Sequence, residues 1–221
     1  MTPPVPRLHL IGDRTLCPLG RFAEVAARAV AGGVDAVHLR EKDLAGGTLV
    51  EAARELRRAL GGGVVLLVNE RVDVALMSGA DGVQLPESGA SPRDVRVLAG
   101  DRLLIGRSVH DAAGAERAAG QGADFVLAGH VFDSRSKPGL APRGSALVRE
   151  IARACPIPVI AIGGIMPERV SELLDAGAWG VAIISGILAA DDPEAAARRY
   201  REALDAWDSS LGGANGDQGQ R

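Results

Sequence analysis

Aromatic residues are nearly absent from the chain: three phenylalanines, two tryptophans and one tyrosine in 221 residues. So few rings exclude a base-stacking surface of the kind that grips single-stranded nucleic acid. An excess of positive charge is lacking too, since 25 Lys and Arg face 28 Asp and Glu, and the formal charge of −3 argues against a general DNA or RNA binder. Cysteine is scarce. Cys17 and Cys155 stand far apart and belong to no CxxC or Cys/His cluster, so neither a disulfide framework nor a zinc site is indicated. No uninterrupted apolar run approaches the roughly 18 residues that a membrane-spanning helix needs. The N-terminal MTPPVPR lacks the basic-then-apolar layout of a signal peptide. The expectation is a cytoplasmic protein with neither membrane nor nucleic acid as a partner.

What is present is a 47% apolar fraction built on Ala, Val and Leu, enough for one domain with a substantial core. Short apolar runs alternate with longer Ala/Arg/Glu/Leu segments of helical period. The runs LHLI (8–11), AVHLR (36–40), VVLLV (64–68), GVQL (82–85), LLIGRS (103–108), FVLAG (125–129), PVIAI (158–162) and GVAII (180–184) read as strands. Helices are expected at 21–31, 47–60, 71–78, 91–99, 111–121, 144–154, 167–176 and 192–207. Ser91-Pro92 and Asp192-Pro193 place a capping side chain before a first-turn proline. The turns SGADGV, QGADFV and DAGAWGV end helices on a glycine before the next buried strand. Strands apolar enough to be covered on both faces, joined by short loops, point to a single-domain (β/α)8 TIM barrel. An open doubly wound sheet is the competing architecture, and it lacks a GxGxxG after the first strand. Residues 1–7 read as an N-terminal extension, 8–208 as the barrel, and the Gly-rich, polar 209–221 as a disordered tail.

A barrel of this kind carries its active site at the carboxyl ends of its strands. Strand two ends in HLREKD, where alternation puts His38, Arg40 and Lys42 on one face, an anion site or a solvated charge cluster. Asn69 after strand three and Gln84 in strand four are amides that either orient a polar ligand or cap a loop. Ser108, in GRSVH after strand five, is a ligand donor or a helix cap, and His110 reads as a surface histidine. Strand seven ends in AIGGI and strand eight in IISGI. Loops after these two strands commonly hold phosphate on backbone N–H groups, which points to Gly163, Gly164, Ser185 and Gly186, although glycines also simply suit tight turns. Strand six runs into GHVFDSRSKPG. His130 is either a packed histidine or an acid/base group able to titrate near neutrality, and Ser136, Lys137 and Gly139 form a loop suited to an acidic ligand or to solvent.

Taken in order, VHLREKD, VNERVDVAL, GADGVQL, IGRSVH, GADFVLAGHVF, PVIAIGGI and GVAIISGI resemble the thiamine phosphate synthase family, which includes the thiazole tautomerases of TenI type. The likeness spans nearly all of Leu8 to Ala189. A synthase of this family joins a pyrimidine diphosphate to a thiazole phosphate with a magnesium held by two aspartates, one after the strand-three asparagine and one in a Gly-Gln-Glu-Asp run after strand four. Here Glu70 takes the first position and Pro86-Glu87-Ser88-Gly89 the second region. The synthases also carry proline after the strand-six glycine, where this chain has His130. QLP, GRSVH and GHVF together resemble the tautomerase branch.

That branch implies a cofactor-independent, metal-free isomerase that aromatises the carboxy-dihydrothiazole phosphate released by thiazole synthase. His130 would transfer the proton. Arg40, Lys42 or Lys137 would pair with the 2-carboxylate, while Asn69, Gln84, Ser108, Ser136 and Gly139 contact substrate and the strand-seven and strand-eight loops hold phosphate. The partner implied is the phosphorylated thiazole, with a functional link to thiazole synthase, and Ala-rich barrel helices permit a homodimer. Two alternatives stay open: a magnesium-dependent thiamine phosphate synthase, and a non-catalytic regulator that senses a phosphorylated ligand.

Overall fold

The computed structural model describes residues 4–133 and 141–215. Eight parallel strands pair in chain order and close into a barrel. They are β1 (Leu8–Ile11), β2 (Ala36–Leu39), β3 (Val65–Asn69), β4 (Gly82–Leu85), β5 (Leu104–Val109), β6 (Phe125–Gly129), β7 (Val159–Ile162) and β8 (Gly180–Ile183). β8 returns to β1 with Leu8 opposite Val181, so no strand edge is left exposed. Every residue of β1, β2, β4, β6 and β8 is buried, the consequence of having side chains on one face and helices on the other.

The helices are α1 (Leu19–Ala31), α2 (Gly46–Leu60), α3 (Val72–Ser78), α4 (Pro92–Ala99), α5 (Ala112–Gly120), α6 (Gly144–Ala154), α7 (Val170–Asp175), α8 (Ser185–Leu188) and α9 (Pro193–Asn215). Ser91 Oγ accepts from Asp94 N at 3.1 Å and starts α4; Asp192 Oδ1 accepts from the N–H of Glu194 and of Ala195 and starts α9. α3 ends on Gly79 in the left-handed conformation, φ 72°, as the SGADGV turn implies. Among the described residues no helix is long and apolar enough to cross a membrane.

Three expectations need correcting. The segment 167–176 is not one helix: Pro167–Arg169 forms a 3-10 turn before α7, because Arg169 leaves regular helix geometry at φ −106°, ψ 1°. α8, in the loop after β8, is too short to show a period and escaped the reading of the sequence. The tail expected from Ser209 is helical through Asn215. Polar composition signals little burial, but Trp207 packs against the core and donates to Asp175 at 2.8 Å, and the Ser209 and Ser210 hydroxyls donate to the carbonyls of Asp205 and Trp207. The helix is carried forward from an anchored turn.

The aspartates of the Gly-x-Asp turns brace the bottom of the barrel. Asp81, just before β4, accepts from Leu66 N of β3 at 2.7 Å and pairs with Arg57 of α2. Asp124, before β6, repeats this with Ile105 N of β5 at 2.6 Å and Arg96 of α4. Asp35, before β2, takes Arg7 N at 3.1 Å and Leu8 N at 3.3 Å, and pairs with Arg201 of α9. Before β8 the matching position is Trp179, whose indole N–H donates to Val5 O at 3.0 Å. Each carboxylate satisfies an N–H at a strand's amino end that would otherwise be left without a partner.

Inside the barrel, apolar residues including Ala36, Leu67, Phe125, Leu127, Ile160 and Ala182 form one cluster. His9, His38 and Gln84 are its polar companions, none more than 4% exposed. A Cβ on Gly106 would lie 2.2 Å from Gln84 Oε1 and 2.3 Å from Phe125, so glycine there makes room for both side chains. This filled lower half supports an open upper half.

Candidate active site

At the carboxyl ends of the strands lies a cavity of about 760 Å³. Nine of the residues expected from sequence line it: Arg40, Asn69, Gln84, Ser108, His130, Gly163, Gly164, Ser185 and Gly186. They come from β2 through β8, and strand closure alone brings them together. Lys42 is exposed and is not on the cavity wall, since the chain has left β2 and turned outward before reaching it. Ser136, Lys137 and Gly139 lie outside the described residues. His110, expected on the surface, is exposed but stands at the mouth, with Nε2 3.8 Å from Glu87 Oε2.

His130 is half-buried at the end of β6, and the residues after it are pinned to β7. Val131 N donates to Ile162 O and Phe132 N to Gly163 O, both at 3.0 Å. Gly163 and Gly164 have φ of 110° and 63°, which only glycine adopts readily. A Cβ on Gly163 would sit 2.7 Å from His130 Cβ, and one on Gly164 2.2 Å from the Asp133 carbonyl. The paired glycines therefore let the β7 loop turn and let the His130 segment close onto it. Across the loop, the Arg169 guanidinium stacks 3.4 Å from the ring centroid of Phe132.

On the facing side, Ser185 and Gly186 open α8. A Cβ on Gly186 would meet Tyr200 Oη at 2.2 Å, and that hydroxyl, its pKa pushed up to about 12 by burial, donates to Ile165 O at 3.0 Å. Tyr200 thus locks α9 to the β7 loop. Its neighbour Arg199 also lines the cavity while paired with Glu168.

Alternation past β2 sorts the charges. Arg40 turns into the cavity, whereas Glu41 is buried away from it 3.4 Å from Arg14, which also pairs with Asp43. Burial raises the Glu41 carboxyl despite that arginine. Asp13 and Thr15, in the loop after β1, line the cavity and escaped the sequence reading. Asp13 stands two residues past the inward-facing Ile11, and that parity was the available signal. Burial works to raise its carboxyl, but the Thr15 hydroxyl and N–H, with Arg40 and Lys42 nearby, hold it below its ordinary value.

The positions a magnesium would use do not fit one. Glu70 is exposed, at φ 64°, with its N–H on Gln84 O at 2.9 Å. The loop after β4 is already held by a cation: the Arg107 guanidinium donates to the carbonyls of Glu87 at 2.6 Å and Ala90 at 2.7 Å. A guanidinium on that loop opposes a divalent ion beside it.

The family model described as thiamine monophosphate synthase (TMP-TENI) matches residues 8–187. The chain belongs to that family. Among curated members, it is 42% identical over 188 residues to the thiamine-phosphate synthase of Anaeromyxobacter dehalogenans, covering 85% of each chain. It is 45% identical over 193 residues to the putative thiamine-phosphate synthase of Geobacter sulfurreducens, covering 86% of this chain and 91% of that one. The solved structure of thiamine phosphate pyrophosphorylase from Pyrococcus furiosus superposes with a TM-score of 0.82 at 32% identity, over 91% of this chain and 96% of the other. The TIM barrel and membership of an enzyme family of thiamine biosynthesis follow from these likenesses.

Proposed function

We propose that this member of the family is a thiazole tautomerase, which converts the carboxy-dihydrothiazole ethyl phosphate to the aromatic 2-carboxythiazole ethyl phosphate. One observation carries the reading: an imidazole, His130, lines the cavity at the end of β6, while the positions of the synthase magnesium ligands are an exposed glutamate off the cavity wall and an arginine-tethered loop.

Aromatisation needs only a proton moved from ring carbon two to the exocyclic carbon. A neutral His130 takes the first, and the resulting imidazolium delivers one to the second as the double bonds shift into the ring, so the histidine is restored each turnover. Positioned proton transfer of this kind contributes about 10²–10⁴-fold. Arg40 pairs with the 2-carboxylate and opposes the charge that builds up beside it on deprotonation. The phosphate arm lies across the N–H groups of Gly163, Gly164, Ser185 and Gly186.

The test is proton NMR of the dihydrothiazole phosphate in deuterated water, with wild type and His130→Asn. The wild type should accelerate aromatisation and place deuterium on the exocyclic carbon; the variant should bind substrate and lose most of the acceleration. Equal rates would remove His130 from the mechanism. The names of the curated relatives favour a second reading, the synthase. Turnover of the pyrimidine diphosphate with thiazole phosphate, abolished by a chelator, would establish it in place of the tautomerase.

A further inference from the structure

The cavity wall at β1 and β2 carries two charges of opposite sign. Ile11 of β1 lies beside His38 of β2, and Gly12 N carries the ladder one step further by donating to His38 O at 2.9 Å. Two residues past that pair, Asp13 stands beside Arg40, on chains about 4.8 Å apart and with the same inward parity. Both side chains line the cavity and both are partly exposed. Among the described residues Arg40 enters no hydrogen bond or ion pair, so the two charges are neighbours without being partners. Asp13 is held instead by its own loop. The Thr15 hydroxyl donates to Oδ1 at 2.6 Å and the Thr15 N–H at 3.0 Å, while the Asp13 carbonyl accepts from Leu16 N at 3.0 Å and Cys17 N at 2.9 Å. Among the described residues Oδ2 has no hydrogen-bond partner. Burial opposes ionisation of the carboxyl, but the Thr15 bonds, with Arg40 and Lys42 nearby, keep it ionised.

A carboxylate that only accepts and a guanidinium that only donates, set side by side, match a ligand fragment in which an N–H cation and a carboxylate share one carbon, as in an α-amino acid. A lone carboxylate at this wall would pair with Arg40 but face the charge of Asp13. A lone cation meets the reverse problem. A fragment with both groups satisfies both walls at once, and that difference is specificity.

We propose that Asp13 is a specificity-determining residue which, with Arg40, forms a subsite for a dipolar N–C–carboxylate group: Asp13 Oδ2 accepts from the nitrogen and Arg40 donates to the carboxylate. In the dihydrothiazole this fragment is the ring nitrogen, carbon two and the 2-carboxylate. Carbon two is tetrahedral there, so two substituents held at the β1–β2 wall leave its hydrogen pointing across the barrel. Strand order puts β6, with His130 at its end, opposite β2. The ring nitrogen is an imine, and the proton that Asp13 favours on it is taken up with the substrate and released once aromatisation has made that nitrogen less basic. This placement of the ring rests on the tautomerase reading; the dipolar subsite does not.

Two small probes test it, titrated into isotope-labelled protein at neutral pH and read as amide shifts at Asp13 and Arg40. Racemic proline and cyclopentanecarboxylate share a five-membered ring and a carboxylate and differ in the N–H cation. Neither has a phosphate or can be turned over, so failure of the tautomerase reading leaves this result intact. The wild type should bind proline about tenfold more tightly than cyclopentanecarboxylate, the factor of one hydrogen bond to a charged group. Asp13→Asn, which keeps an acceptor for Thr15, should lose that preference. Arg40→Gln should weaken both compounds alike and keep it. Equal affinities in the wild type, a preference for cyclopentanecarboxylate, no binding of proline, or an undiminished preference in Asp13→Asn would each overturn the proposal. If a variant fails to fold, the two wild-type affinities decide.

Discussion

Acidification from about pH 7 to about pH 4.5 should destabilise the protein chiefly through the buried histidines. His9 titrates near 6.5 in the unfolded chain and at about 4 in the folded one. Between those values the unfolded chain binds more protons, so the contribution is fully present above the unfolded pKa and is lost as the pH falls toward the folded one. At about 1.4 kcal/mol per pKa unit, the interval removes on the order of 2–3 kcal/mol through His9 alone. His38, shifted in the same direction, adds to it. Carboxylates contribute only near the acid end, where Asp13, Asp73 and Glu172 lose stabilisation and Glu41, with its raised pKa, opposes them. Urea unfolding followed by circular dichroism at constant ionic strength, on wild type and His9→Gln at each pH, separates the two sources. The variant should be less stable at neutral pH, yet its stability should fall by about 2–3 kcal/mol less across the interval. Parallel pH dependences for the two proteins would refute the argument, and with it the buried, neutral state of His9.

Gly106→Ala should cost at least about 1–3 kcal/mol in urea unfolding, because its Cβ would overlap both Gln84 and Phe125 in a filled layer. Asp124→Ala should cost about 1–3 kcal/mol in the same assay by leaving Ile105 N–H without its acceptor and the part-buried Arg96 guanidinium without its carboxylate. Gly164→Ala should raise the KM of a phosphorylated thiazole far more than it changes kcat. A side chain there meets the Asp133 carbonyl and requires a φ of 63°. Ser91→Ala should cost about 1 kcal/mol through loss of the α4 cap, read as a lower Tm.

Most of the barrel was legible because its signals are local. A run such as FVLAG must be a strand covered on both faces, and Ser91-Pro92 must begin a helix, whatever the rest of the chain does. The inward parity of Arg40 followed from alternation, and Asn69, Gln84 and Ser108 stood out as polar residues at strand ends. Illegible parts were those in which distant segments meet. Asp13 became a cavity residue, and Lys42 left the cavity, according to where each strand ends. α8 is too short to leave a periodic trace, and α9 continued past Ser209 because Trp207 had already anchored it to Asp175.

The sequence by itself determined the alternation of strands and helices, the glycines at the ends of β7 and β8, and a histidine at the end of β6, since these depend on residue type and short-range spacing. Tertiary structure alone decided that Gly163 makes room for His130, that Arg107 occupies the loop after β4, and that His9 meets His38 inside the barrel. Each of these is a contact between strands far apart in the chain. Local propensity cannot encode which atom of one strand will find a partner on another; barrel closure and register do.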